Sequence, residues 1–153
     1  MSTADDENWM RKALDEAARA PAHGDVPVGC VIVRDGSVVA TARNERELRQ
    51  DPTAHAEVLA IRDAAIALGG WRLVGCTLYV TLEPCPMCAG AILQARPERV
   101  VYGAPEPVSG AAGSVIDVFR DPRLPTRIPV EGGVLAVQAA DALRAFFAER
   151  RDT

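Results

Sequence analysis

Four residues of this chain have the types and spacing to do chemistry together: His55 and Glu57 in DPTAHAEV, and Cys85 and Cys88 in PCPMC. Side chains two positions apart on an α-helix point about 200° from each other, so His55 and Glu57 cannot share a mid-helix face. In an opening turn, side chains lean toward the N-terminus and both can reach a site at the helix mouth. Cys85 and Cys88, three apart, fall on one side of a turn, and at a helix start the free N–H groups and the positive end of the dipole stabilise thiolates. One imidazole and two thiolates form a three-ligand set for tetrahedral zinc, with the fourth position open to water or substrate, as in catalytic zinc sites. Glu57 then stays outside the ligand set, placed to act as general base and then general acid beside the activated water.

Each half alone is weak. An isolated His-x-Glu is more often a surface feature, and an isolated Cys-x-x-Cys reads as a redox pair or as half of a four-ligand structural zinc site. The redox reading leaves His55 and Glu57 without a role. The structural reading needs a fourth ligand from Cys30, Cys76 or His23. Cys30 in VGCVIV and Cys76 in CTLYV read as small buried hydrophobes, and His23 in PAHGD as an exposed loop residue. Pro84 restricts Glu83 to extended backbone and so ends a strand where Cys85 must appear.

The elements that position these residues follow from periodicity. Residues 6–20 predict an amphipathic helix with Trp9, Ala13, Leu14, Ala17 and Ala18 at helical spacing. VPVGCVIVRDGSVVATA predicts a strand pair turning at Asp35-Gly36. After a polar loop, RNERELRQDP, Thr53 is the expected N-cap of a helix with Val58, Ile61, Ala65 and Leu68 on one face, stopped by Gly69-Gly70. CTLYVTLEP predicts a buried strand and CPMCAGAILQA the helix after it, with Pro86 tolerated in the opening turn. ERVVYGA predicts a strand, GSVIDVFR a short helix, GGVLAV a strand, and QAADALRAFFAERR a final helix. Alternating strands and helices imply an α/β sandwich with a mostly parallel or mixed sheet, in one domain over residues 1–153.

Hydrophobic residues at 48% and charged residues at 25% fit an ordinary folded domain. No apolar run approaches the roughly 20 residues of a membrane span, and MSTADDENWM starts acidic, so the expectation is a cytoplasmic protein that meets no membrane and forms no disulfides. A net charge of −4 gives no bulk attraction for nucleic acid. Any such partner must meet a local patch, for which Arg144, Arg150 and Arg151, or Arg120, Arg123 and Arg127, are the candidates. Taken alone, such clusters usually read as solvated faces.

HAE followed by PCPMC matches the known signature of zinc nucleobase deaminases. VPVGCVIV, Asn44, DPTAHAE, TLEPCPMCAGA, RVVYGA and SGAAGS then follow one another as in the bacterial tRNA adenosine deaminases, of the cytidine/deoxycytidylate deaminase superfamily, which the chain resembles over nearly its whole length. The resemblance implies a three-layer cytidine-deaminase-like fold, with a central five-stranded mixed sheet flanked by helices. It implies one Zn²⁺ per subunit on His55, Cys85 and Cys88, and catalysis by Glu57 as water attacks carbon 6 of adenine. The partners implied are a second copy of the chain, as a homodimer, and the anticodon loop of tRNA, whose wobble adenosine becomes inosine. Substrate contacts are implied at Asn44, Val28, Ala56, Glu83, Pro84, Glu106 and Phe147. Among them Asn44 would hydrogen-bond the flipped nucleoside, Val28 would pack on the base, and Phe147 with Phe146 would shape the RNA surface.

Two loops depart from the family pattern. Where it commonly carries an Asp and a basic residue before TGAAGS, this chain has Glu106 and Val108; where it commonly reads LNHR, this chain reads LPTR, with Pro125, Thr126 and only Arg127 retained. Both loops are expected to face RNA. They leave open a second substrate class, a free base or nucleoside such as guanine, cytosine or an adenosine derivative, deaminated by the same zinc chemistry. A zinc-stabilised interaction domain without catalysis is the third reading, and it has no use for Glu57.

Overall fold

Runs of β-branched residues broken by turn signals build the sheet. The structure, a computed structural model, describes residues 3–151, and of Arg151 the backbone only. Asp35 and Gly36 both take positive φ, 51° and 73°, as a tight two-residue hairpin requires, and join β1 (Gly29–Arg34) to β2 (Ser37–Arg43). With β3 (Thr77–Leu82), β4 (Arg99–Ala104) and β5 (Val130–Glu131) these make one sheet in the order β2-β1-β3-β4-β5. β1 is antiparallel to β2 and β3, while β3, β4 and β5 run parallel. The five-stranded mixed sheet expected from the resemblance is thus present.

The central strands are apolar on both faces because both are covered. Cys30, Ile32, Leu78, Val80 and Val100 point into the larger core with α3 (Ala56–Leu68) and α4 (Pro86–Ala95). Val31, Val33, Tyr79 and Val101 alternate to the opposite face, where α1 (Ala4–Ala17) lays Met10 and Ala13 on them. Glycine lets α1 sit close: a Cβ on Gly29 would lie 2.0 Å from the Ala13 carbonyl oxygen. α5 (Ala136–Arg151) packs against β4 on this side. No helix among the described residues is long and apolar enough to cross a membrane.

Several sequence expectations are corrected. The stripe of α1 that is fully buried is Asp6, Met10, Ala13 and Ala17, with Ala18 exposed. Inside the polar loop lies a one-turn helix, α2 (Arg46–Arg49), and after α1 a 3-10 turn, Ala20–His23. α3 buries its small residues Ala56, Ala60 and Ala64 against the sheet, and the Val58-Ile61-Ala65-Leu68 face is only half-buried. GSVIDVFR is not helical: Val115 and Ile116 are exposed, an isolated bridge joins Ala112 to Asp117, and Phe119 enters the core with Val118 packed partly buried against it. GGVLAV is no strand either, because β5 ends at Glu131. Gly133 and Leu135 take positive φ, and α5 has begun by Ala136.

Candidate metal centre and active site

Two helix starts meet at one point. His55, with extended backbone, is the N-cap of α3, and Cys85, also extended, is the N-cap of α4. Neither side chain caps its own helix, so both project beyond the helix ends. Thr53 is not the N-cap expected from the sequence; its hydroxyl and amide turn back to Asp51. The free N–H of Ala56 is met by the Asn44 side-chain oxygen at 2.9 Å, so the end of β2 caps α3.

His55 Nδ1 lies 3.7 Å from Cys85 Sγ and 3.5 Å from Cys88 Sγ. Tetrahedral zinc, with Zn–N ~2.0 Å and Zn–S ~2.3 Å, needs nitrogen and sulfur about 3.5 Å apart, so the three groups fit that ion. The charge state fits as well. The Cys88 hydrogen bond is the main cause holding the Cys85 thiol down at about 4, while the same contact and burial push Cys88 up. The pair therefore shares one proton, and a bound dication is what allows two thiolates to stand side by side. Among the described residues this is the one cluster of three or more His, Cys, Asp or Glu whose ligand atoms converge to within 4.8 Å.

Glu57, two residues into α3, is buried beside this set, 4% exposed, and burial pushes its carboxyl up to about 7. A carboxyl poised near neutrality suits a group that must both take and return a proton. It lines the floor of a cleft of about 330 Å³, the size of small-molecule sites.

Of the expected substrate contacts, Val28, Asn44, Glu83, Glu106 and Phe147 line this cleft with His55, Glu57 and Cys85. Asn44 is fixed by Ala56 N and by its own donation to the Val26 carbonyl at 3.1 Å. Ala56 and Pro84 are buried and do not line the cleft; they act through backbone, Pro84 by accepting from Ala111 N at 2.8 Å. Glu83 reaches the cleft wall, but its buried carboxylate is taken up by the loop after β4. It accepts from the amides of Glu106 (3.0 Å), Ala112 (2.9 Å) and Ser114 (3.1 Å) and from the Ser114 hydroxyl. Burial would raise its carboxyl, and these donors outweigh that and hold it low. Of the two adjacent phenylalanines only Phe147 is open to solvent; Phe146 is buried, 5.3 Å from it edge to face, with the Arg150 guanidinium over its ring.

The cytidine and deoxycytidylate deaminase zinc-binding region is the family whose model matches this chain, over residues 3–104, a span that holds His55, Glu57, Cys85 and Cys88. A tRNA-specific adenosine deaminase of Bacillus subtilis (strain 168) is 47% identical over 146 residues, covering 95% of this chain and 91% of that protein. The chain belongs to the tRNA-specific adenosine deaminase family. A solved structure from work on A-to-I editing by tRNA:A34 deaminases at the wobble position superposes with a TM-score of 0.86 at 44% identity, covering 89% of this chain and 99% of that one. The structure of a guanine deaminase from Bacillus subtilis matches at 46% identity and a TM-score of 0.63, over 65% of this chain and 64% of its own.

Around the site of this tRNA-specific adenosine deaminase family member, sequence reasoning missed Asp25, Arg46 and Ser109, all in the cleft lining. Asp25 is buried and accepts from Glu47 N (2.8 Å), Leu48 N (3.2 Å) and His23 Nδ1 (2.7 Å). His23 is therefore a half-buried partner of Asp25 and not the exposed loop residue expected, and no local pattern signals that Asp25 bonds amides over twenty positions away. Cys30 and Cys76 are fully buried, as expected of small hydrophobes. The suspected basic patches are largely neutralised in place: Arg120 pairs with Asp117 at 2.8 Å, Arg123 with Asp121 at 2.6 Å, and Arg144 with Asp141.

Proposed function

We propose that this protein deaminates adenosine to inosine in the anticodon loop of tRNA, at the wobble position, with zinc on His55, Cys85 and Cys88 and with Glu57 as the proton carrier. The observation that carries the reading is His55 Nδ1 at 3.5 and 3.7 Å from two cysteine sulfurs, next to a buried carboxyl at the floor of an open cleft. Zinc held by these ligands supplies Lewis-acid activation of water at neutral pH. Glu57 would carry one proton of the attacking water to the adenine ring nitrogen and the second to the amino group, which then leaves as ammonia, the known proton economy of zinc deaminases. Asn44, already bonded by Ala56 N and Val26 O, presents its remaining polar capacity to the ribose side of the base. Val28 packs on the ring, Glu106 faces the cleft from the loop after β4, and Phe147 stacks at the rim.

The same reading includes a homodimer acting in the cytoplasm. The groove between α3 and α4, lined by Val58, Ile61, Ala65, Trp71, Ala91 and Ala95, is open and almost wholly apolar, with Trp71 62% exposed. Such a face on a chain of this size supports burial against a second copy. The deciding experiment incubates zinc-loaded protein with an arginine-tRNA anticodon stem-loop and, separately, with free adenosine, cytosine and guanine, and follows products by mass spectrometry. Inosine in the stem-loop is expected; conversion of a free base with none in the stem-loop would overturn the tRNA reading.

A further inference from the structure

A base of a polynucleotide held in the cleft brings a phosphodiester on each side to the cleft mouth, and the cleft beneath is acidic. Asp25, Glu57, Glu83 and Glu106 all line it, the first three buried, and the chain carries a net charge of −4. Arg46 is the sole lysine or arginine among the lining residues. Where the family pattern carries a cation, this chain has Val108, which is 83% exposed and offers a phosphate nothing. Arg46 also lines the groove next to the cleft, and the two share Val26, Arg46 and Phe147, so a strand leaving the cleft along that groove passes between a guanidinium and an exposed aromatic ring. The neighbouring Glu47 oxygen is 3.9 Å from Arg46 Nε, beyond hydrogen-bond range, and both side chains are about half-exposed. The backbone under Arg46 is fixed, because the Asp25 carboxylate grips the next two amides of α2.

We propose that Arg46 is the specificity-determining cation of the site: its guanidinium binds a phosphodiester adjoining the target adenosine and so selects a polynucleotide over a free nucleoside. The inference rests on the tRNA reading above. The test compares zinc-loaded wild type, Arg46→Ala and Arg46→Lys on the anticodon stem-loop, unmodified or with one neutral methylphosphonate at either linkage flanking the adenosine.

Arg46→Ala is expected to raise KM roughly tenfold near physiological salt, with zinc content at wild-type level, and to lower the slope of log KM against log salt by about one contact. Arg46→Lys recovers most of the slope and less of the KM. One of the two neutral linkages should cost the wild type as much as Arg46→Ala does, and cost the variant little more, which identifies the contacted phosphate. An unchanged KM and salt slope in Arg46→Ala, or equal losses from both neutral linkages in wild type and variant, would overturn the proposal. If the wild type leaves the unmodified stem-loop unchanged, the tRNA reading itself fails and this inference falls with it; the two failures are told apart by that first control.

Discussion

At Glu57 a carboxyl is buried at 4% exposure among the residues that line the open cleft, which is where the proposed proton carrier must stand. Glu57→Ala should keep one zinc per chain and the fold while cutting inosine formation by about 10²- to 10⁴-fold, the usual worth of a general acid–base. Cys88→Ala should instead lose the metal, since two remaining ligands cannot hold it. Zinc determination beside a single-turnover assay separates the two outcomes, and near-wild-type turnover by Glu57→Ala would remove the role assigned to it. These four residues were legible in the sequence because zinc chemistry dictates residue type and helix starts dictate spacing. Asp25 and Glu83 act by gripping backbone amides far along the chain, and nothing in the gripped segments reveals it.

At the scale of elements, α1 is held to the sheet by a buried ionic clamp as well as by Met10 and Ala13. Asp6 on α1 accepts from Tyr79 Oη of β3 at 2.7 Å and from both Arg99 guanidinium nitrogens of β4 at 2.9 and 2.7 Å, and Arg99 also reaches Glu131 of β5 at 2.9 Å. The Arg99 hydrogen bonds hold the Asp6 carboxyl at about 2. A carboxyl depressed in the folded state contributes stability that is complete above its unfolded value near 4 and is lost as pH falls toward 2. Asp6→Asn should therefore cost about 2 kcal/mol at neutral pH, and the gap to wild type in urea unfolding should close between about pH 5 and pH 2; a gap independent of pH would contradict the clamp. Strands and long helices followed from their periods, and the hairpin from Asp35-Gly36. α2 escaped notice because its four residues owe their turn to Asp25 rather than to helix propensity. GGVLAV misled because Gly132 leaves room for the Tyr102 ring, which a Cβ would meet at 2.2 Å, and Gly133 takes a φ of 93°, so one glycine serves packing and the other a turn, and neither a strand.

For the whole molecule, the proposed homodimer would connect assembly to catalysis through the apolar groove between α3 and α4, because those helices carry the three candidate ligands at their starts. Trp71→Glu should shift the sedimentation mass from two chains to one without loss of zinc; a dimer that persists would move the interface elsewhere. On the far side of the cleft, Glu83 holds the loop after β4 almost wholly by main-chain amides, and Gly110 lies so close that a Cβ there would sit 2.5 Å from the Glu83 carboxylate. Amides are common to every residue but proline, so the grip is indifferent to what the loop displays. Exposed Val108 and Ser109 can be exchanged while the loop keeps its course. Shape and recognition are thereby inherited separately: a lineage can revise which nucleic-acid surface it reads at this rim without renegotiating the geometry of the metal beneath.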